Sequence, residues 1–394
     1  MASATDSQVV PSGADRPWVP PSWAARLRRE ADTRRGAGLE RRVEAPRGLD
    51  FCSNDYLGLR RDVRVAEAAA QAALEHGSGS GGSRLLRGGS SLHEALEEAL
   101  ARHKSLPSAL LLNSGFQANA TLIPALAREG DHVFSDALNH ASLVEGCRLA
   151  KARGAAVHVH RHLDLEDLEA CLRAARGRRA AGSLFLIATD AVFSMDGDAA
   201  DLPALLALAA RFDALLLVDE AHATGLLGPH GGGLAEACGV AGRIPLVMGT
   251  LGKALGAFGA FVACPGELRD HFVNTARGFI FSTSLPPPVL GAARRSLALA
   301  REERWRASAA LGHAARIRAR LGLPPQPSAI VPVVLGTEAR ALAVAGALQD
   351  RGFDVRAVRP PAVSPGTSRL RITTGAHQSE AAVADLLSAL EALL

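Results

Sequence analysis

From residue 51 onward the chain alternates short apolar runs with segments in which leucine and alanine recur every three or four positions. This is the mark of strands interleaved with amphipathic helices. Residues 214–218 read as a central strand and 245–248 as the next. Residues 65–76 and 92–103 read as helices; in the second, Leu92, Leu96, Ala99, Leu100 and His103 share one face, and Ser91 with Glu94 forms a capping-box pattern. Asp201 caps a further helix with Pro203 in its first turn, and Leu205, Leu208, Ala209 and Phe212 make its buried stripe. Beyond Pro288 the pattern predicts one long Arg/Ala/Leu helix, a strand over 329–335, a helix over 338–350, and strands over 353–358 and 369–373. The whole reads as an α/β fold with a mostly parallel sheet flanked by helices, closed by a smaller C-terminal α+β domain. We expect a disordered leader and N-terminal helical segment over 1–50, a large domain over 51–288 and a small domain over 289–394. No internal repeat of solenoid period is present.

Composition narrows the function classes. With 48% hydrophobic and 21% charged residues the chain can bury a sizeable core. No apolar stretch approaches the roughly 20 residues of a membrane span, and the N-terminus has no apolar signal core, so a cytoplasmic protein is expected. The cysteines Cys52, Cys147, Cys171, Cys238 and Cys264 form no CxxC pair and read as small buried apolar side chains in a reducing compartment. The net charge of +4 gathers in local arginine clusters, over 26–35, at Arg41 and Arg42, and over 173–179. No nucleic-acid motif accompanies them, and aromatics make up only 4%; solvated helix faces or docking of an acidic partner explain them better. The histidines show no metal-ligand spacing.

The chemistry-bearing signal is a pair of segments, Val218-Asp219-Glu220-Ala221-His222 and Gly249-Thr250-Leu251-Gly252-Lys253. Ligands of open α/β sheets bind beyond the carboxyl ends of strands, where Asp219 ends an apolar run. A carboxylate there suits the pyridinium nitrogen of pyridoxal phosphate (PLP), which must keep its proton to act as an electron sink, and the cofactor aldehyde requires a lysine. Lys253 follows the next strand-like run, in a chain where lysine is scarce, and Gly252 and Gly256 around it suit a backbone crowded against a flat cofactor. In Asn113-Ser114-Gly115-Phe116, a strand end and glycine precede a helix whose N-terminus favours an anion, making the Gly115 and Phe116 amides candidate phosphate donors. His140 opens another helix and can stack on a cofactor ring. Residues 77–82 formally match GxGxxG, but they follow a helix rather than a strand, which excludes a dinucleotide site and leaves an active-site loop or a linker.

These residues resemble the α-oxoamine synthase family of fold-type I PLP enzymes. The likeness runs from about Trp23 to the C-terminus, with landmarks at Ser53-Asn54-Asp55-Tyr56-Leu57-Gly58, Gly79-Ser80-Gly81-Gly82-Ser83-Arg84, His140-Ala141-Ser142-Leu143, Val192-Phe193-Ser194-Met195-Asp196-Gly197, residues 219–222 and Arg359-Pro360-Pro361. The resemblance implies that Lys253 binds the cofactor covalently and moves the substrate α-proton, Asp219 pairs with the ring nitrogen and His140 stacks on the ring. It further implies that Ser194 and His222 contact the ring and its phenolic oxygen, and that Thr250 helps hold the phosphate. Thr283 or Ser284 would reach the phosphate from a neighbouring subunit of a homodimer. Arg371 would grip an amino-acid carboxylate; Arg41, Asn54 and Ala362 complete the substrate-binding set. The implied reaction joins L-alanine to a pimeloyl thioester on acyl carrier protein or coenzyme A, in biotin biosynthesis. Another synthase of the family, such as a glycine C-acyltransferase or a secondary-metabolism synthase, is the alternative. The chain departs from the family pattern at Ala362, where threonine is usual, and at Ala223, where glycine is usual.

Overall fold

The computed structural model describes residues 18–41, 43–177 and 182–394. Most of the expected leader, together with Arg42 and Arg178 to Arg179, lies outside the described residues. The strands, in chain order, are β1 (Leu49–Asp50), β2 (Ser108–Leu112), β3 (His132–Asp136), β4 (Ala156–His160), β5 (Phe185–Asp190), β6 (Ala214–Asp219), β7 (Leu246–Thr250), β8 (Ala260–Cys264), β9 (Ile330–Gly336), β10 (Phe353–Asp354), β11 (Arg356–Val358) and β12 (Ser368–Thr373). A seven-stranded sheet has the order β2-β8-β7-β6-β5-β3-β4, and within it only β8 runs antiparallel to its neighbours.

Side chains alternate across this sheet with the strand period of two. Phe185, Ile187, Leu216, Val218 and Val247 point into one core; Leu186, Ala188, Leu217, Leu246 and Met248 point into the other. The first core is covered by helices Ser91–His103, Leu165–Arg176, Leu202–Phe212 and Pro287–Glu302. Helices Gly115–Leu126, Ala141–Ala152 and Gly266–Thr275 cover the second. Burial on both faces explains why these strands are apolar throughout rather than alternating in the sequence. A second sheet, β11-β12-β9, is antiparallel and has its own core with helices Glu338–Asp350 and Glu380–Glu391.

Several local expectations change. The helix predicted over 92–103 begins at Ser91 and takes Ser90 rather than Ser91 as its N-cap, and the Ser90 hydroxyl bonds the His93 ring at 2.9 Å instead of a backbone amide, so the capping box does not form. The single helix after Pro288 is two, Pro287–Glu302 and Trp305–Arg320, with Glu303 and Arg304 between them. The strand over 353–358 is split into β10 and β11, because β10 pairs with β1 while β11 pairs with β12. Cys147 and Cys264 are buried as expected, but Cys238 is exposed just after a short helix. Leu290, Ala293, Leu297 and Ala300, all beyond residue 288, pack in the same core as Leu96, so that core crosses the boundary expected there. We propose that the smaller unit begins within Trp305–Arg320, where Ala310 belongs to the first core and Ala314 and Ile317 to the third.

Candidate active site

The carboxyl ends of β3, β5, β6 and β7 deliver Asp136, Asp190, Asp219 and Thr250 to one edge of the sheet. Lys253 lies in the turn that follows β7, tied by Gly256 N–H to Lys253 O (2.8 Å) and Ala257 N–H to Leu251 O (2.9 Å). Gly256 is required here: its φ is +57°, and a Cβ would lie 2.4 Å from Arg60 N. At Gly252, by contrast, the nearest atom would be 3.7 Å away, so the crowding expected at both glycines occurs at one.

Lys253 Nζ lies 2.9 Å from His222 Nε2. Burial lowers the lysine pKa to about 8, against the opposing pull of Asp219 and Asp190. Burial and then the Lys253 and Arg371 charges push the pKa of His222 well below its usual value, which keeps the ring neutral. Asp219 accepts Asn119 Nδ2–H at 2.7 Å and Ala221 N–H at 2.8 Å. Asn119 also donates to Ser142 Oγ at 3.0 Å, and Ser142 Oγ lies 2.7 Å from His140 Nδ1. Ser142 N–H points at the same nitrogen, so Nδ1 accepts and the proton of a neutral His140 sits on Nε2. His140 stays partly open to solvent, yet desolvation lowers its pKa against the pull of Asp219.

Arg371, on β12, donates from Nε to Ser194 O at 2.5 Å and from Nη2 to Asn54 Oδ1 at 3.1 Å. These bonds join the second sheet to the edge of the first. The loop over 193–198 that carries Ser194 is fixed by His162, which bridges Asp136 (2.8 Å) and Asp198 (2.9 Å). Burial disfavours the His162 charge, but the two carboxylates outweigh it and raise its pKa to about 9. A raised folded pKa gives stability that is complete below the unfolded value near 6.5 and lost as pH rises through about 9. His162→Gln is therefore expected to cost on the order of 2–3 kcal/mol at pH 6 and progressively less towards pH 10, measured by denaturant unfolding across that range.

The phosphate candidates occupy the start of helix Gly115–Leu126. Ser114 caps Gln117 N–H at 3.2 Å, and among the described residues no acceptor meets the Gly115 or Phe116 amide. Thr250 is buried and its hydroxyl donates to Gly259 O at 3.0 Å. Ser284 is also buried, its hydroxyl 2.6 Å from Gly88 O of its own chain, whereas Thr283 is exposed. Arg41 donates to Pro360 O at 2.9 Å, and the exposed Ala362 lies two residues further along that loop; among the described residues neither bonds the Lys253 set.

Sequence reasoning gave no role to Asn119, Asp190 or Tyr56. Asp190 ends an apolar strand just as Asp219 does and pairs with it in register; that repeated strand-end acid was the available signal. Burial and then Asp219 raise its pKa well above the carboxylate range, and it accepts His140 N–H at 2.6 Å.

The donor set suits PLP: a buried amine near neutrality, a carboxylate whose oxygens only accept, an imidazole beside it, and free amides at a helix N-terminus. This fold and this constellation define a PLP-dependent transferase of fold type I. The aminotransferase class I and II pattern matches residues 46–390, and the chain belongs to that family. It is 51% identical to 8-amino-7-oxononanoate synthase of Anaeromyxobacter dehalogenans, over 88% of this chain and 86% of that one. It is 49% identical to the synthase of that name from Geobacter sulfurreducens, over 84% of each. Among solved structures, a serine palmitoyltransferase variant from S. paucimobilis with a bound PLP–myriocin aldimine matches at TM-score 0.84 and 31% identity, over 94% of this chain and 97% of that one.

Proposed function

We propose that this chain binds PLP at Lys253 and condenses L-alanine with a pimeloyl thioester, on acyl carrier protein or coenzyme A, releasing CO2 and the free thiol and giving 8-amino-7-oxononanoate for biotin biosynthesis. The reading is of a cytoplasmic homodimer; no helix among the described residues is long and apolar enough to cross a membrane. The observation that carries it is the half-buried Lys253, its amine 2.9 Å from His222 and in the field of Asp219, in a chain half identical to synthases of that name.

When bound, the cofactor supplies an electron sink for charge developing at the amino-acid α-carbon. With a pKa of about 8, Lys253 can release and recover a proton at Nζ near neutral pH. Asp219, pinned by Asn119 and Ala221, would hold the hydrogen of the ring nitrogen, and His140, Ser194 and His222 would orient the ring. Gly115, Phe116 and Thr250 would hold the phosphate, with Thr283 or Ser284 contributed across the dimer interface. Arg371 offers two donors on one planar fork to the amino-acid carboxylate, beside Asn54. Arg41 and Ala362 border the acyl path.

Ala362, and the likeness to a serine palmitoyltransferase, favour as second reading a related synthase with another amino acid or acyl chain. The test is mass-spectrometric detection of products from PLP-loaded protein given alanine, glycine or serine with pimeloyl-carrier protein or pimeloyl-coenzyme A. Product from alanine is expected. Product from glycine or serine alone selects the second reading, and none from any pair overturns both.

A further inference from the structure

Tyr56 is the single tyrosine of the chain and is fully buried. Its hydroxyl lies 2.7 Å from His222 Nδ1 and 3.1 Å from Asn54 Oδ1. Donor inventories fix the direction of each bond. Arg371 Nη2 meets the same Asn54 atom, and because a guanidinium has only donors that atom is the amide oxygen. An oxygen without hydrogen can only accept, so Tyr56 gives its one proton to Asn54. The phenolic oxygen then has only lone pairs to offer His222, and Nδ1 must carry the ring hydrogen. A neutral imidazole carries one such hydrogen, so Nε2 is bare and accepts from Lys253 Nζ at 2.9 Å.

We propose that Tyr56 is a positioning residue that locks His222 in the Nδ1–H tautomer and thereby presents an acceptor, rather than a donor, to the Lys253 amine in the cofactor-free protein. An acceptor at 2.9 Å stabilises the charged amine more than the neutral one. Without the hydroxyl, Nδ1–H has lost its buried acceptor and the ring can turn to the Nε2–H tautomer. That hydrogen faces Nζ, and only a neutral amine can accept it. Lys253 is also faced by Asp219 and Asp190, which favour its proton, and by Arg371, which disfavours it; His140 feels both Asp219 and Lys253. Removing the phenolic oxygen leaves Asp219 and Asp190 untouched, but it also takes an acceptor from Arg371, which hydrogen-bonds the Tyr56 hydroxyl; the His222 tautomer is therefore read alongside the Lys253 midpoint. The inference deepens the cofactor reading of Lys253 but is read on cofactor-free protein, so a failed turnover assay and a failed tautomer measurement are separate results.

The chain has three lysines, Lys104, Lys151 and Lys253, which makes the amine directly observable. Full-length protein stripped of cofactor is labelled with 13C at lysine Cε and 15N in histidine, and Lys253→Ala and His222→Gln assign the two signals. The expected wild-type spectrum has His222 neutral with its hydrogen on Nδ1. Tyr56→Phe is expected to move that hydrogen towards Nε2 and to lower the Lys253 midpoint by roughly one pH unit, the scale of one hydrogen bond to a charged group. Asn54→Ala should shift the tautomer the same way, because the freed Tyr56 proton can turn to Nδ1; it decides the matter if Tyr56→Phe does not fold. An Nε2–H ring in the wild type, or an unmoved Lys253 midpoint in a folded variant, overturns the proposal.

Discussion

Lys253→Ala is expected to reduce turnover by about 10⁴-fold or more, because in the proposed mechanism it removes both the covalent hold on the cofactor and the group that moves the proton. The fold should survive, since Lys253 lies in a turn closed by backbone bonds: Gly256 N–H to Lys253 O, Ala257 N–H to Leu251 O and Leu251 N–H to Gly259 O. Two measurements check this. Product formation gives the rate, and PLP retained after dialysis gives the covalent contribution; near-wild-type turnover in a variant that has lost the amine would remove Lys253 from the mechanism. The residues around it bear on the size of the effect. A lysine with its ordinary pKa would be almost wholly charged at pH 7, whereas burial brings this one to about 8 and leaves an appreciable neutral fraction.

The largest expected effect on stability lies one residue beyond Asp219. Glu220 and Lys104 are buried and meet at 2.5 Å. Lys104 Nζ also donates to Thr224 Oγ1 (2.7 Å) and Gly232 O (2.6 Å), and Glu220 Oε1 accepts Ala235 N–H at 2.7 Å. Every charge in this pair has partners, so removing one member strands the other in a low-dielectric interior. Glu220→Ala is expected to cost about 3–5 kcal/mol, measured by denaturant unfolding of the cofactor-free protein. Arg102→Ala, which breaks the exposed pair with Glu98, is expected to change nothing measurable. Equal, small effects from the two variants would mean that the interior around Glu220 admits water. Because Glu220 follows Asp219 directly, the variant is also expected to weaken PLP retention.

Much of the fold was legible because its determinants are local. Alternation of apolar runs with three-to-four-residue periodicity marked β6, β7 and the helix Glu338–Asp350, and Asp201 caps its helix through Ala204 N–H as its position predicted. The capping box at Ser91 misled because Ser90 competes for the same role, a choice made by the approach of His93. The continuous pattern beyond Pro288 hid the break at Glu303 and Arg304; Arg304 is held there by bonds to Gly225 O, Leu226 O and Gly228 O, far away in the chain.

The same division applies to the site. Local sequence was enough to locate Asp219 at a strand end, Lys253 in the turn after the next strand, and the helix start that offers free amides at Gly115 and Phe116, because strand ends, turns and helix starts are set by neighbouring residues. What those groups can do follows from the packing of segments far apart in the chain. The bond from Asn119 to Asp219 spans 100 positions and that from Tyr56 to His222 spans 166. The neutral state of His222, the raised pKa of Asp190 and the depressed pKa of Lys253 depend on burial and on charges brought together from β5, β6 and β12. Solvation and Coulomb fields act through space, so they take their values only once the chain has folded.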